Sequence, residues 1–558
     1  MRRFLGLAAA SCLVTSFALA SSEPVRGRNG MVASQSLLAS QAGVEMLEGG
    51  GNAVDAAVAT AFALAVTRPE AGNIGGGGFL LFRPASGDAV AYDFRETAPA
   101  AASPEMFLRD GVYDAELHHR SGRAVGVPGT VAGLYLAWQE HGKLPWKRLV
   151  APAIELAREG VVVSDGMERS LLSMRAERWQ EHPATLAQFT RNGTPYRIGD
   201  RLKQEDLART LERIAAEGPK GFYEGETARL IVEEMSRVGG LVTLDDLKGY
   251  RAKRREPVRG TYRGYEIASM PPPSSGGIAL IEILNILEGY DLAAYGFQSS
   301  KSLHLMVESM RRAFADRARD LGDPDFNPGI PREKLISKEY AAELRATIDP
   351  ERASTSSVAA LDSTTESLDT THFSVVDSEK NAVALTYTIE LPFTIVTGGG
   401  FLLNTELGDF NAAPGLTTAG GLIGTKANLA APGKRPLSSM SPTIVTRDGE
   451  LFFVTGSPGG RTIINTVAQT IVNAVDFGLN AQEAVDAGRI HHQWLPDRIQ
   501  HEALRFSPDT LAGLSARGHA LVSVPELGCA QVILYRRDEK IFEGASDTRR
   551  RDGGVAAY

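Results

Sequence analysis

From Ala353 to Asp369 the chain is rich in Ser, Thr, Ala and Asp and has no hydrophobic period, and this stretch constrains the fold more than any other. Such a segment cannot bury enough apolar surface to offset the entropy lost on ordering it, so it reads as an exposed, poorly ordered connector. Strands begin immediately after it. His372–Asp377 and Ala382–Ile389 alternate in β fashion around Ser378-Glu379-Lys380-Asn381, and Ser441–Thr446 and Glu450–Thr455 form a second hairpin around Asp448-Gly449. Helices follow over Thr462–Phe477 and Ala481–Gly488, and the last strand predicted is Ala530–Tyr535. Upstream, Ser36–Glu48 and Ala53–Val66 read as helices, the second capped by Asn52 and apolar enough to be buried. Gly75–Gly78 leads into strands Phe79–Phe82 and Ala89–Phe94, and residues 130–250 read mostly as helix. Pro271-Pro272-Pro273-Ser274-Ser275-Gly276-Gly277 makes a rigid turn into helix Ile278–Leu287. The pattern predicts a layered sheet protein with helices packed on it.

The 558 residues carry a net charge of −8 with no long acidic or basic block, which argues against a nucleic-acid partner. Arg2 and Arg3, the apolar run Phe4–Phe17 and Ala18-Leu19-Ala20 form the pattern of a secretory leader over residues 1–20. That predicts export to the periplasm or beyond, and no other segment is long and apolar enough for a membrane span. Removal of the leader leaves Cys529 as the single cysteine, so stability rests on packing and not on a disulfide.

With Asp377 facing Ala382 across the first turn, Thr388 lies opposite Thr371 and beside Thr370. A threonine hydroxyl is a weak nucleophile unless a base stands next to it. If the peptide bond before Thr370 is cut, the new α-amino group supplies that base on the same residue, with an ordinary pKa of about 7.7–8.0. Taken alone, Thr370 and Thr371 read first as plain β-formers at a strand start. Gly456-Ser457-Pro458-Gly459-Gly460 precedes a helix, where exposed backbone N–H groups can hold a developing oxyanion, or where glycine simply makes a turn. Ser438 and Ser439 can bind a carboxylate or cap a loop. Glu390, Glu406 and Asp409 can hold an ammonium group or stand in solvent. His118-His119 and His491-His492 lack the His-Glu-x-x-His pattern, which argues against a zinc site.

Together these segments resemble the γ-glutamyltransferase (glutathione hydrolase) family of N-terminal-nucleophile hydrolases. The resemblance runs through Gly50–Ala57, Gly72–Phe79, Asp93–Glu96, Pro271–Gly277, Thr370–Asp377, Arg435–Ser441, Thr455–Gly460 and His491-His492-Gln493-Trp494. It implies an α+β fold, a four-layer αββα sandwich built jointly by two autoprocessed subunits, 21–369 and 370–558. It implies Thr370 as nucleophile and cleavage residue, Thr388 as its support, and Gly459 and Gly460 as the oxyanion hole. Arg95, Ser438 and Ser439 match the clamp on the glutamyl α-carboxylate, and Glu390, Glu406 and Asp409 the groups around its α-amino group. The substrates implied are glutathione and other γ-glutamyl compounds, with water or amino-acid and peptide acceptors, and no cofactor or metal. Position 390 is glutamate where several members have asparagine. Gly420, in a lid over 411–433, stands where well-known bacterial members carry tyrosine. A glutaryl-type β-lactam acylase or a poly-γ-glutamate hydrolase on the same fold is the nearest alternative. An exported amino-acid-binding protein that stays uncut is the alternative of another class.

Overall fold

Asp377 sets the register of the central hairpin. In the computed structural model, which describes residues 23–176, 181–356, 369–416 and 424–558, its carboxylate accepts the Glu379 and Asn381 amides at 3.0 and 2.9 Å, and its own N–H donates to the Asn381 carbonyl at 3.1 Å. Asp377 therefore belongs to the turn, and the first ladder pair is Val376 with Ala382. This shifts the pairing by one from the sequence expectation: Thr388 faces Thr370, and Thr371 faces Tyr387. The other Asp377 oxygen accepts the Ala53 amide at 3.0 Å, which ties the turn to the start of helix Ala53–Thr67. Asn52 caps that helix through the Val54 and Asp55 amides, Asp55 answers through the Asn52 amide, and every residue of the helix is buried.

Two seven-stranded sheets carry the fold. One runs Lys253–Arg255, Val90–Phe94, Gly77–Arg83, Ala382–Glu390, Asp369–Val376, Met31–Ser34, Gly554–Ala557, and the other runs Val25–Gly27, Ile541–Ser546, Gln531–Arg536, Glu450–Thr455, Thr443–Arg447, Tyr265–Ser269, Val258–Tyr262. All their pairings are antiparallel. Alternation along the strands divides the core. Leu80, Tyr92, Phe373, Val375, Val383 and Leu385 pack with the helices of the first half. Met31, Phe79, Leu81, Ala91, Ala382 and Ala384 face the second sheet, whose own helices, Gly276–Leu287 and Thr462–Val475, share that cluster. Ser374 Oγ joins the sheets by donating to the Gln531 carbonyl at 3.0 Å. The result is an α+β sandwich with layers ordered α, β, β, α. Each sheet takes strands from both sides of Thr370.

Strands outside the predicted set escape sequence reading, among them Val25–Gly27, Met31–Ser34 and Lys253–Arg255. Val258–Tyr262 and Tyr265–Ser269 pair around a two-residue turn with Arg263 at φ 50°, and Ile541–Ser546 and Gly554–Ala557 follow the strand predicted as last. The connector also differs in part: residues 353–356 are held by hydrogen bonds, while 357–368 lie outside the described residues. So do the leader and Gly420. No helix among the described residues is long and apolar enough to cross a membrane.

Candidate active site

The strand Ala382–Glu390 gathers the site. Its Thr388 pairs with Thr370, its Glu390 pairs with Asp369, and the ladder slips by one residue between Asp369 and Thr370. Both threonines are buried. Thr388 Oγ1 accepts the Glu390 amide at 2.9 Å, and Glu390 takes a left-handed φ of 61°, unusual for a side-chain-bearing residue. Glycines at the start of the neighbouring strand make room: a Cβ on Gly76 would sit 2.1 Å from the Thr388 carbonyl oxygen, and one on Gly78 2.4 Å from that of Thr386. Asn73 Nδ2 donates to the Thr388 carbonyl at 3.0 Å, while its Oδ1 accepts from Gly76 N and Thr130 Oγ1.

Glu406 and Asp409 occupy one 3-10 turn, held by Asn404 Oδ1 at the Glu406 amide and by Asn428 Nδ2 at the Asp409 carbonyl. Carboxylate oxygens of Glu390, Glu406 and Asp409 lie within 4.8 Å of one another. Arg95, fully buried, donates to Glu406 and to Asp409 through its two terminal nitrogens, lies 3.8 Å from Glu96, and gives its Nε–H to the Pro436 carbonyl at 3.3 Å. The sequence separates Arg95 and the acids into two clamps; the fold brings them into direct contact. Three buried carboxyl groups, Glu96, Glu406 and Asp409, thus surround one guanidinium, and a fourth, Glu390, stands beside two of them. Burial, opposed by Arg95, pushes Glu406 well above the ordinary carboxylate range and Glu96 up to about 8. Such an excess of acid is suited to an incoming cation. The guanidinium already among the acids favours an ammonium over a compact dication.

Ser438 Oγ accepts the Met440 amide at 3.1 Å, and Ser439 Oγ accepts from Arg317 at 2.9 Å. Arg317, on helix Ser300–Asp320, also donates to Ser275 Oγ at 2.9 Å. The proline-rich turn serves this loop: Ser274 Oγ donates to Met440 O and Ser275 Oγ to Ser438 O, both at 2.6 Å. Sequence reading missed Arg317, which carries no motif, and Asn73, Asn404 and Asn428, whose signal was the glycine-rich and acidic stretches they brace.

Gly459 and Gly460, at φ 130° and 54°, lie just before helix Thr462–Val475, whose N-cap is Arg461. Their loop leaves strand Glu450–Thr455 through Gly456, where a Cβ would fall 2.3 Å from the ring of His372. His372 is fixed between Thr386 Oγ1 at 2.8 Å and Ser374 Oγ at 3.1 Å, and burial lowers its pKa to about 3. The glycine loop therefore lies against the residue two positions after Thr370. Elsewhere, His304, Glu308 and His519 also place potential metal-ligand atoms within 4.8 Å, but Glu308 is already committed to Arg312 at 2.8 Å and Arg311 at 3.3 Å.

An αββα sandwich whose sheets join strands from both sides of a buried threonine defines the class of N-terminal-nucleophile hydrolases. Over 98% of this chain and 99% of its own, the solved cephalosporin acylase from Bacillus halodurans superposes with a TM-score of 0.84 at 28% identity. A solved chain of Helicobacter pylori γ-glutamyltranspeptidase covers 57% of this chain and 91% of its own with a TM-score of 0.56 at 46% identity. The glutathione hydrolase proenzyme of Escherichia coli (strain K12) is 48% identical over 541 residues, 96% of this chain and 93% of that one. The gamma-glutamyltranspeptidase family model matches residues 39–558. The chain belongs to the gamma-glutamyltranspeptidase family.

Proposed function

We propose that the protein is a γ-glutamyltransferase with glutathione hydrolase activity that first cuts itself between Asp369 and Thr370. The reading is carried by one strand: Ala382–Glu390 presents Thr388 to Thr370 and, two residues on, Glu390 to the acid group around Arg95. In cleavage, Thr370 Oγ attacks the Asp369 carbonyl, the C–N bond breaks as the C–O bond of an ester forms and frees the Thr370 α-amino group, and water then hydrolyses that ester to the Asp369 carboxylate and the Thr370 hydroxyl. Subunits 21–369 and 370–558 remain together through the shared sheets, and the leader 1–20 directs the chain to the periplasm or outside the cell.

In turnover, the freed amine takes the proton of Thr370 Oγ as it attacks the γ-amide carbonyl. Thr388 orients that hydroxyl, and the N–H groups of Gly459 and Gly460 receive the oxyanion. The amine departs with the proton, leaving a γ-glutamyl ester on Thr370. Water then gives glutamate, or an amino acid or peptide amine gives a new amide. Ser438, Ser439 and Arg95 hold the α-carboxylate, and Glu390, Glu406 and Asp409 the ammonium, so remote binding aligns the reacting bond.

Similarity to a cephalosporin acylase supports a second reading, hydrolysis of glutaryl amides. The buried acids favour a substrate that carries an amine. Rates on γ-glutamyl and glutaryl anilides decide between them: preference for the glutaryl compound overturns the transferase reading.

A further inference from the structure

The His491-His492-Gln493-Trp494 segment takes no part in the contacts above, yet one of its side chains, His492, reaches Asp497. His492 Nδ1 accepts the Trp494 amide at 3.1 Å, which leaves the ring proton on Nε2, 3.2 Å from Asp497 Oδ1. Asn465, on helix Thr462–Val475, donates to the His492 carbonyl at 3.0 Å and faces His491 Nδ1 at 2.7 Å, so the loop is fixed to the second helix layer. Asp497 Oδ2 accepts the Ser356 amide at 2.7 Å, and Arg311 bridges Asp497 Oδ1 and Ser356 Oγ. Just upstream, Glu308 accepts the Ser354 amide at 3.1 Å, Arg312 reaches Ser354 Oγ at 3.3 Å, and Ala353 N donates to the Arg517 carbonyl at 2.8 Å.

Residues 353–356 offer no large apolar side chain to bury, so charged partners do the holding. Those partners come from both sides of Thr370: Glu308, Arg311 and Arg312 precede it, and Asp497 and Arg517 follow it. We propose that Asp497 is a positioning residue for self-cleavage: it pins Ser356, so the chain enters the junction at Thr370 from a fixed point, and the end released by the cut stays tethered to the downstream fragment. The proposal rests on cleavage before Thr370. Without the pin, the next anchors upstream are Ser354, at Glu308 and Arg312, and Ala353, at the Arg517 carbonyl, so the chain reaches the junction from a more distant point and its approach loosens.

The test uses the full chain and two variants that break the contact from opposite sides. Asp497→Asn keeps the shape but puts an amide before Arg311 and His492, and Ser356→Pro removes the N–H that Asp497 accepts. The readouts are the rate of conversion of fresh precursor to two fragments, kcat and KM of the cleaved product, and hydrogen exchange of peptides covering 353–356. The expected result is cleavage slowed about 3–10-fold in both variants, with faster exchange at 353–356 and kcat and KM of the cleaved product unchanged. Cleavage at the wild-type rate in both overturns the proposal, as does a parallel loss of kcat and thermal stability, which marks a merely structural contact. A wild-type chain that never splits overturns the cleavage reading itself, a result distinct from either.

Discussion

Thr370 stands directly across the ladder from Thr388, and the pairing breaks at the peptide bond that precedes Thr370. One strand therefore presents a hydroxyl to Thr370 and, past the break, a carboxylate to the acid group around Arg95. The chemistry assigned to the site follows from that juxtaposition of a hydroxyl pair and a cation-seeking group.

Glu406→Gln removes one of the charges that would face the substrate ammonium. A hydrogen bond to a charged group contributes about 1.5–3 kcal/mol, so KM for a γ-glutamyl anilide should rise about 10–100-fold. A glutaryl anilide, which has no amine, should be little affected. Steady-state kinetics on the two compounds check this, and an equal loss on both would show that Glu406 does not read the amine.

Because burial holds Glu406 above the ordinary carboxylate range, the empty site favours its neutral form as pH falls. The substrate ammonium is best held by the anion. KM for γ-glutamyl donors should therefore fall as pH rises through the Glu406 titration, and Glu406→Gln should flatten that trend. A KM–pH profile on each protein provides the measurement.

Glu96 links pH to stability with the opposite sense from an ordinary ion-paired acid. Its folded pKa, raised from 4.5 to about 8 by burial against the pull of Arg95, lies above the unfolded value. Between those values the folded state binds the extra proton, so Glu96 lowers stability as pH rises, by at most about 1.4 kcal/mol per pH unit. Glu96→Gln, which mimics the protonated acid, should make the denaturation midpoint higher at pH 8 than wild type and less dependent on pH between 5 and 8. A variant as pH-sensitive as wild type would contradict the assignment.

Gly456→Ala drives a methyl group into the His372 ring, because the added Cβ would fall 2.3 Å from it. Overpacking of this kind costs about 1–3 kcal/mol. The loop bearing Gly459 and Gly460 would shift with it, so activity should drop as well. Adding His372→Ala opens space and should recover part of the stability, though not the Thr386 and Ser374 hydrogen bonds. Urea denaturation of the single and double variants tests the coupling.

The central hairpin was legible because strand alternation and a run of polar turn residues are local signals. The register was read one residue off because the sequence does not announce that the Asp377 side chain closes the turn, and a slip of one exchanges Thr370 for Thr371. Gly554–Ala557 is a short edge strand of small residues with no alternation to detect. The Arg95 contacts with Glu406 and Asp409 join residues more than 300 positions apart, and only the packing of the layers brings them together. Family resemblance supplied their identities, but not that arginine and acids touch.

Amino-terminal sequencing of the smaller fragment of purified protein, set beside Thr370→Ala and Thr370→Ser, tests the central claim most directly. The account predicts a fragment beginning at Thr370 in wild type, partial cleavage in the serine variant, and a single inactive chain in the alanine variant. An uncut wild-type chain that still turns over γ-glutamyl compounds, or an active alanine variant, would contradict it.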